Sequence, residues 1–433
     1  MFLPEKVGYT LPLIPNINKE NIGIYSALVG CFVVKKVKFR FLANAPGART
    51  LVIVGLLTST FTVFTNLDPV FTGVRVKPAL NPQDVISMTL QMAMFMVPFV
   101  LGALLVKNAS DGTQVLKLVA IAGIIYSPLM ILEVLLSPQL HTWIYGFFPH
   151  SFGQQERFGG YRPVVFMGHG LVVAIFAMAT LISVATLWKA KQKILLLPNF
   201  IYLIYSLFLV IICKSVGAWI LGFLGLVIII FLPARMIGLA AFGIAGCVFL
   251  YPILSIFELI PKDSLLELAL KFGPDKAGSL AFRFGNEEIM LEHGKDKILF
   301  GWGGWDRNRI DGVVTDGYWI IRFTQFGLLG YLVAFGLPML AVKNGLRSMG
   351  RSISSSEKNI MAGFCLLISM ILVDQIPNAS VSGWIMFIYG AATGFFANRS
   401  LSKNSSKAMI SERHARMELR SDSETLKDKT TGI

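Results

Sequence analysis

Long apolar stretches follow one another along most of this chain, separated by short polar connections. A helix needs about 20 apolar residues in a row to cross the hydrocarbon core of a bilayer. Only 15% of the 433 residues are charged, whereas a soluble protein has about 25% and needs them to cover its surface. We therefore predict an all-α, polytopic integral membrane protein. Eleven transmembrane helices are predicted, over residues 22–37, 50–67, 88–106, 116–137, 163–188, 194–212, 216–232, 236–260, 318–342, 359–376 and 381–397.

The basic residues are concentrated in alternate connections between these stretches. The net charge is +14, and in a membrane protein an excess of Lys and Arg marks the cytoplasmic loops. We therefore expect the basic residues to contact membrane lipids, and we do not expect the chain to bind nucleic acid. The odd number of spans then leaves the N-terminus outside and the C-terminus in the cytoplasm. The orientation depends on Lys35, Lys36, Lys38, Arg40, Arg49, Lys189, Lys191, Lys193, Arg235, Lys343, Arg347, Arg351 and Lys358.

Two connections on the outward side are long, 138–162 and 261–317. The second contains ten acidic and eight basic residues, unlike the acid-poor inner connections. Within it we predict a short helix over 263–274 with Asp263 as its cap, an amphipathic helix over 279–296 and a turn at 301–305. The chain thus divides into an N-terminal segment (1–21), eight transmembrane helices (22–260), the large loop (261–317), three more helices (318–398) and a disordered cytoplasmic tail (399–433).

Ionisable residues within or beside the spans lie on one side of the predicted topology. Such residues are costly in a membrane and are candidates for function. Their common side predicts a polar cavity in the outer half of the bilayer, roofed by the large loop. The alternative is that each residue pairs structurally or extends to the interface. The six residues are Glu133, His169, Lys214, Glu258, Arg322 and Asp374.

The large loop and its flanks carry motifs typical of one membrane enzyme family. Ser279-Leu-Ala-Phe-Arg283, followed by Ile298-Leu-Phe-Gly-Trp-Gly-Gly304, resembles a pattern in O-antigen ligases and polymerases. The segment from Asp316 to Gly330 opens the next span in a similar way, and Lys214-Ser-Val-Gly-Ala218 stands where many members have a Ser-Arg pair. The resemblance covers residues 214–330 and is only architectural elsewhere.

The resemblance implies a metal-independent glycosyltransferase of the GT-C type in the bacterial inner membrane, acting at the periplasmic face in surface polysaccharide assembly. Its donor would be a glycan on undecaprenyl diphosphate, and its acceptor a hydroxyl group of a glycan or lipid. No cofactor is implied. The scattered Cys and His residues of this chain also show no metal-ligand spacing.

Cationic side chains would bind the diphosphate that leaves in such a reaction. Arg283 matches the loop arginine of the family, and Lys214 replaces its usual second Arg. Arg157 and Arg162 precede a span and could reach the same place, as could Arg322, one turn into the ninth span. Arg suits this role because its planar fork pairs two oxygens at once.

Asp316 stands where ligases of the family usually have a histidine. A neutral imidazole accepts a proton near pH 7, whereas an aspartate with an ordinary pKa of about 3.9 is a weaker base. The resemblance makes Asp316 the candidate catalytic base beside Arg283, with His150, His169 or His293 as alternatives. The missing histidine favours a polymerase, or a divergent exopolysaccharide enzyme, over a ligase.

Other interpretations remain open from the sequence, among them a non-catalytic assembly partner of a polysaccharide export complex. Arg283 could form an i,i+4 ion pair with Glu287 on the surface of the loop helix instead of binding an anion. The whole chain could also be a polysaccharide or lipid transporter, or flippase, without catalytic activity. Transporters often contain repeats and bind substrate near the bilayer midplane, and this sequence shows no internal repeat.

Overall fold

The chain is predominantly helical, as its apolar stretches predict. The computed structural model describes residues 2–11, 14–39, 41–271, 273–314, 316–350 and 354–398. The predicted tail, 399–433, lies outside these residues. The helices are α1 Lys19–Leu28, continued by a π-helical turn Val29–Val34, α2 Pro46–Phe64, α3 Asp84–Leu105, α4 Ala109–Leu136, α5 Leu140–Tyr145, α6 Gly170–Lys189, α7 Asn199–Ile212, α8 Val216–Phe231, α9 Ala234–Ile256, α10 Lys262–Leu270, α11 Pro274–Lys295, α12 Tyr318–Met349, α13 Ser355–Asp374 and α14 over 383–398.

Three short antiparallel hairpins are the β structure of the described residues. They pair β1 Gly8–Leu11 with β2 Ile14–Asn18, β3 Val70–Phe71 with β4 Val76–Lys77, and β5 Glu156–Arg157 with β6 Gly160–Tyr161. All three lie in connections between helices or before the first helix.

Among the described residues, seven helices are long and apolar enough to cross a membrane, namely α2, α3, α4, α6, α9, α12 and α13. Helices α7 and α8 are apolar but shorter, and α1 and α14 occupy the first and last predicted spans. The chain is therefore an all-α, multi-pass membrane protein. That all eleven segments cross the bilayer stays a prediction.

Helices α6 and α13 form the centre of the bundle. Every side chain of α6 from residue 173 to residue 187 is buried, and α13 is buried from residue 360 to residue 372. A helix that is apolar on all sides belongs in such an interior. The two helices approach closely because Gly363 lies directly against Thr186, as is common where membrane helices meet.

The connections are divided between the two ends of the bundle. At one end Gln192 donates to Ser356, and Lys189 donates to backbone carbonyl groups at the end of α8; this is the basic end. At the other, which we call the loop end, the backbone of the large loop contacts the α2–α3 connection through Asn66. The basic connections that follow α6, α8 and α12 therefore meet one another, and the large loop contacts the α2–α3 connection instead.

Helix α12 departs from the predicted continuous span over 318–342. The chain breaks at Gly327, whose φ is 65° and ψ −163°, a conformation open essentially to glycine alone. The two halves fold back on one another, so that the rings of Tyr318 and Phe335 lie 5.8 Å apart. A straight helix would separate residues this far apart in sequence by about 25 Å.

The backbone groups freed by this break are bonded to the large loop. The amide of Leu328 donates to the carbonyl of Ile298 at 2.7 Å, and the amide of Trp302 donates to the carbonyl of Thr324 at 2.8 Å. Gly303 likewise donates to the Gln325 carbonyl at 2.9 Å. Interrupted helices are tolerated at membrane depth only where such partners exist. The glycine-rich motif at 298–304 thus completes the broken helix.

The helices within the large loop differ in detail from their predicted bounds. Helix α10 begins at Lys262 with Pro261 at its N-cap, so Asp263 lies in the first turn and is not the predicted cap. Gly273 has a φ of 118° and separates α10 from α11. Pro274 then starts α11 five residues before the predicted 279, because its fixed φ suits the first helical position.

Candidate functional site

The β5–β6 hairpin presents the first of the candidate cations. Arg157 pairs with Gly160 across a two-residue turn formed by Phe158 and Gly159, whose φ values of 52° and 67° are those of a type I′ turn. The Phe158 ring stacks on Trp219 of α8 at 5.4 Å. This contact docks the hairpin against the junction between α7 and α8.

Lys214 lies at that junction, and its side chain contacts the same hairpin. Its φ is 48°, so the chain reverses sharply between the two helices. A methyl group added to Gly160 would occupy the position of the Lys214 ammonium. The missing side chain at 160 therefore lets the ammonium lie directly on the hairpin that carries Arg157.

Arg162 follows the hairpin and is buried, with only 4% of its surface exposed. Its Nε donates to Gln155 Oε1 at 3.0 Å and its terminal nitrogen donates to the Gln154 carbonyl at 2.8 Å. Among the described residues it forms no ion pair with a carboxylate. Burial, together with the positive charges of Arg157 and Arg283, lowers its pKa to about 10. A buried, uncompensated cation is costly and is expected to attract an anion.

Arg283 approaches the same region from the large loop. It lies on α11, and its Nε is 3.9 Å from Asp316 Oδ2. The alternative of an i,i+4 ion pair with Glu287 is wrong, because Glu287 bonds to residues of other helices. The charge of Arg283 contributes to lowering the pKa of Arg162, so α11 presents this arginine toward the hairpin that Lys214 contacts. We call Arg157, Arg162, Lys214 and Arg283 the basic cluster.

Arg322, the fifth predicted cation, lies elsewhere. Its guanidinium carbon is 4.6 Å from the Phe95 ring of α3 and 5.0 Å from the Tyr318 ring. Its terminal nitrogen donates to Gln325 at 3.3 Å. These contacts attach the first half of α12 to α3, and none of them is with the basic cluster. The structure therefore favours a structural role for Arg322.

A cavity of about 240 Å³ lies beneath α11, next to Arg283. Asp316 and Glu287 line it together with Arg283, and the rest of its wall is largely apolar. The side chain of Asp316 is 45% exposed. One arginine and two carboxylates therefore line the same cavity, and the two carboxylates have different neighbours.

Glu287 is the site residue that the sequence motifs did not indicate. Its carboxylate accepts hydrogen bonds from Tyr251 Oη at 3.1 Å, Ser255 Oγ at 3.1 Å and Trp319 Nε1 at 3.3 Å. Burial raises its pKa, against the opposing effect of these hydrogen bonds and of Lys262. Glu287 differs from an ordinary surface glutamate through its contacts with α9 and α12. The sequence of its own helix does not reveal these contacts.

The histidines proposed as alternative bases are largely engaged in structural contacts. His169 caps α6, since its Nδ1 accepts from the Leu171 amide at 3.0 Å. Burial, followed by the charge of Arg162, lowers its pKa to about 4. His293 stacks on Trp302 with ring centroids 4.6 Å apart and bonds to the Arg307 carbonyl. His150 is exposed against His169 at 4.7 Å.

The six ionisable residues predicted to share a cavity do not line the one beneath α11. Glu133 accepts from the amides of Val164 at 2.8 Å and Val165 at 2.6 Å, which fixes the segment carrying Arg162. Asp374 accepts from Ser380 and Asn378 at 2.7 Å each, and Glu258 is exposed in the turn after α9. These six residues therefore do not meet in the cavity beneath α11, and most of them have hydrogen-bond partners of their own; a shared polar cavity stays a prediction.

Comparison of the chain with protein-family models, curated sequences and solved structures finds no match. The site must therefore be interpreted from its own geometry. Four cations come from three connections, and one of them is buried without a carboxylate partner in the described part of the chain. Such a site is suited to an anion of high charge, such as a diphosphate.

Substitution of Gly170 by alanine is expected to displace Arg162. A Cβ at this position would lie 2.8 Å from Arg162 Cδ and from Gln155 Oε1. Loss of one charge-assisted contact should raise the dissociation constant for inorganic diphosphate about tenfold or more, measured by calorimetry on purified protein. Gly153→Ala is the matched control, since a Cβ there meets nothing within 4 Å. Equal affinities of both variants and wild type would contradict this role for Arg162.

Proposed function

We propose that this chain is a glycosyltransferase of surface polysaccharide assembly, acting as an O-antigen or exopolysaccharide polymerase or as a ligase. The donor is a glycan carried on undecaprenyl diphosphate, and the acceptor is a hydroxyl group of a glycan or lipid. The observation that supports this function best is the basic cluster, in which Arg162 is buried without a carboxylate partner among the described residues. The motif resemblance at 279–330 points in the same direction.

In this function the basic cluster takes the negative charge of the leaving group. As the bond between the anomeric carbon and the diphosphate oxygen breaks, charge accumulates on the diphosphate. Preorganised cations in a site of low polarity stabilise such charge strongly. Arg283 is held near the site by Asp316 at 3.9 Å, and Arg162 is oriented by Gln155. These side chains supply the charge that a metal ion supplies in other transferases.

A transporter or flippase is the alternative, and the break in α12 is the observation that favours it. Interrupted helices often bind substrate in transporters through their free backbone groups. Here the backbone at the break is bonded to residues 298–303 of the large loop. Those groups are therefore occupied by the protein itself, which supports a structural function for the break.

The proposal requires the loop end to face the periplasm of a bacterial inner membrane. We expect a phosphatase fused at Lys276 to be active and a phosphatase fused after Ser400 to be inactive, because basic connections are retained in the cytoplasm. Fluorescent-protein fusions at the same two positions should give the opposite pattern. Phosphatase activity at the C-terminal fusion would reverse the orientation and exclude the proposed periplasmic site.

Deletion of the gene tests the function in the cell. Loss of a transferase should leave undecaprenyl-diphosphate-linked glycan on the outer leaflet, with less finished polysaccharide. Loss of a flippase should leave the same intermediate on the inner leaflet. Analysis of lipid-linked intermediates by leaflet-specific labelling distinguishes the two, and unchanged intermediates and polysaccharide would exclude both.

A further inference from the structure

We propose that Glu287 takes the proton of the acceptor hydroxyl, and that Asp316 positions Arg283. This inference rests on the proposed glycosyl transfer. It assigns the cavity beneath α11 to the acceptor and replaces the base that the motif resemblance implies.

The two carboxylates of the cavity have different partners. Asp316 lies 3.9 Å from the Arg283 guanidinium, and its side chain is 45% exposed. Asp316 is therefore engaged with a cationic side chain and with solvent. The same contact is well placed to hold the Arg283 side chain against the cavity wall.

The hydrogen-bond donors that reach Glu287 from the described part of the chain are all neutral. Tyr251 and Ser255 of α9 and the Trp319 indole of α12 bond to its two oxygens between 3.1 and 3.3 Å. Three donors leave one of the roughly four acceptor positions of a carboxylate open. The carboxylate is thus oriented by three fixed side chains while keeping a position for a hydroxyl group.

The charged groups around Glu287 also favour this residue as the group that takes the proton of the acceptor. On its own helix Arg283 lies one turn earlier and is paired with Asp316. Lys262 of α10 pairs with the neighbouring Glu288 at 3.4 Å and acts on Glu287 only from a distance. Burial raises the pKa of Glu287 above that of an ordinary glutamate, which brings it closer to the value that suits a base near neutral pH.

The reaction balances with these groups. The acceptor oxygen forms a bond with the anomeric carbon, and its proton passes to the Glu287 carboxylate. The bond from the anomeric carbon to the diphosphate oxygen breaks, and the lipid diphosphate leaves with the electron pair toward the basic cluster. The protonated Glu287 then returns its proton to water through the cavity.

We expect Glu287→Gln to lower kcat about 100-fold or more, with little change in KM, because a general base contributes on this scale. The glutamine keeps the shape and most hydrogen bonds of the glutamate. The matched control is Glu288→Gln, which should keep the wild-type rate, because the Glu288 carboxylate is 65% exposed and bonds to Lys262.

Asp316→Asn should lower the rate because Arg283 is no longer held in position, and it should leave the pH profile of kcat unchanged.

The pH profile separates a base from a structural residue. A base works when deprotonated, so kcat should rise with pH through the pKa of Glu287. Ser255→Ala removes a hydrogen bond that favours the charged form, so this rise should move to higher pH. If the wild type transfers glycan, and Glu287→Gln and Ser255→Ala keep its rate and its pH profile, the inference is wrong and the proposed function stands. If the wild type transfers no glycan to any acceptor hydroxyl, both are overturned.

Discussion

Replacement of Arg162 by alanine is expected to lower glycan transfer about 100-fold or more. Removal of a single preorganised donor to a developing anion typically has an effect of this size. The effect is expected to be large here because Arg162 is 4% exposed and forms no ion pair within the described residues that would reduce its charge. Arg162→Lys should recover only part of the rate, because the ammonium cannot form the bidentate contact of a guanidinium.

The matched control for Arg162 is Arg309→Ala. Arg309 also lies at the loop end, but it is 53% exposed and pairs with Asp306 at 3.8 Å. The rates are measured with purified protein in detergent, after each variant has been shown to reach the membrane in normal amount. Arg283→Ala should resemble Arg162→Ala, since both belong to the basic cluster. If Arg162→Ala and Arg283→Ala both transfer glycan at the wild-type rate, the basic cluster does not stabilise the leaving group.

Replacement of Gly327 by alanine is expected to destabilise the protein by about 3 kcal/mol or more. A φ of 65° with ψ near −163° costs a non-glycine residue about 1–3 kcal/mol. The added methyl group would also overlap the backbone of Leu299 and Phe300. Neither backbone can move without breaking the hydrogen bonds between the large loop and α12. We expect a lower yield of monodisperse protein and a lower Tm.

The control for Gly327 comes from the motif that contacts it. A Cβ at Gly304 meets nothing within 4 Å, and this residue does not have a positive φ. Gly304→Ala should therefore change stability by no more than about 0.5 kcal/mol. If both variants unfold at the wild-type temperature in a fluorescence assay, the backbone pairing does not hold the large loop on α12.

The helices could be predicted from the sequence, but the break in α12 could not. Hydropathy identifies a buried apolar helix whatever its neighbours are, so α6 and α13 overlap most of their predicted spans, although α13 begins at Ser355 and not at 359. Gly327 stands in an apolar run that also contains Gly330, and an isolated glycine does not disclose a reversal of the chain. The partner that makes the break possible is the motif at 298–304, which lies more than twenty residues earlier.

The candidate site was predicted in part for a similar reason. The motif resemblance identified Arg283 and Lys214, and position near a span end identified Arg157, Arg162 and Arg322; Arg322 lies apart from the other four. Burial of Arg162 and the contacts of Glu287 depend on tertiary packing. The spacing of Arg283 and Glu287 predicts an ion pair on an isolated helix. In the protein, donors from α9 and α12 bind Glu287, and Asp316 binds Arg283.

The central claim is that this chain transfers a glycan from a lipid diphosphate. The most direct test is to reconstitute the purified protein in liposomes with undecaprenyl-diphosphate-linked glycan and an acceptor glycan or lipid. We predict release of undecaprenyl diphosphate that depends on the acceptor, together with an equal amount of extended product, and loss of both in Arg162→Ala. Movement of intact lipid-linked glycan between leaflets, with no diphosphate released in the presence of any acceptor, would contradict the claim.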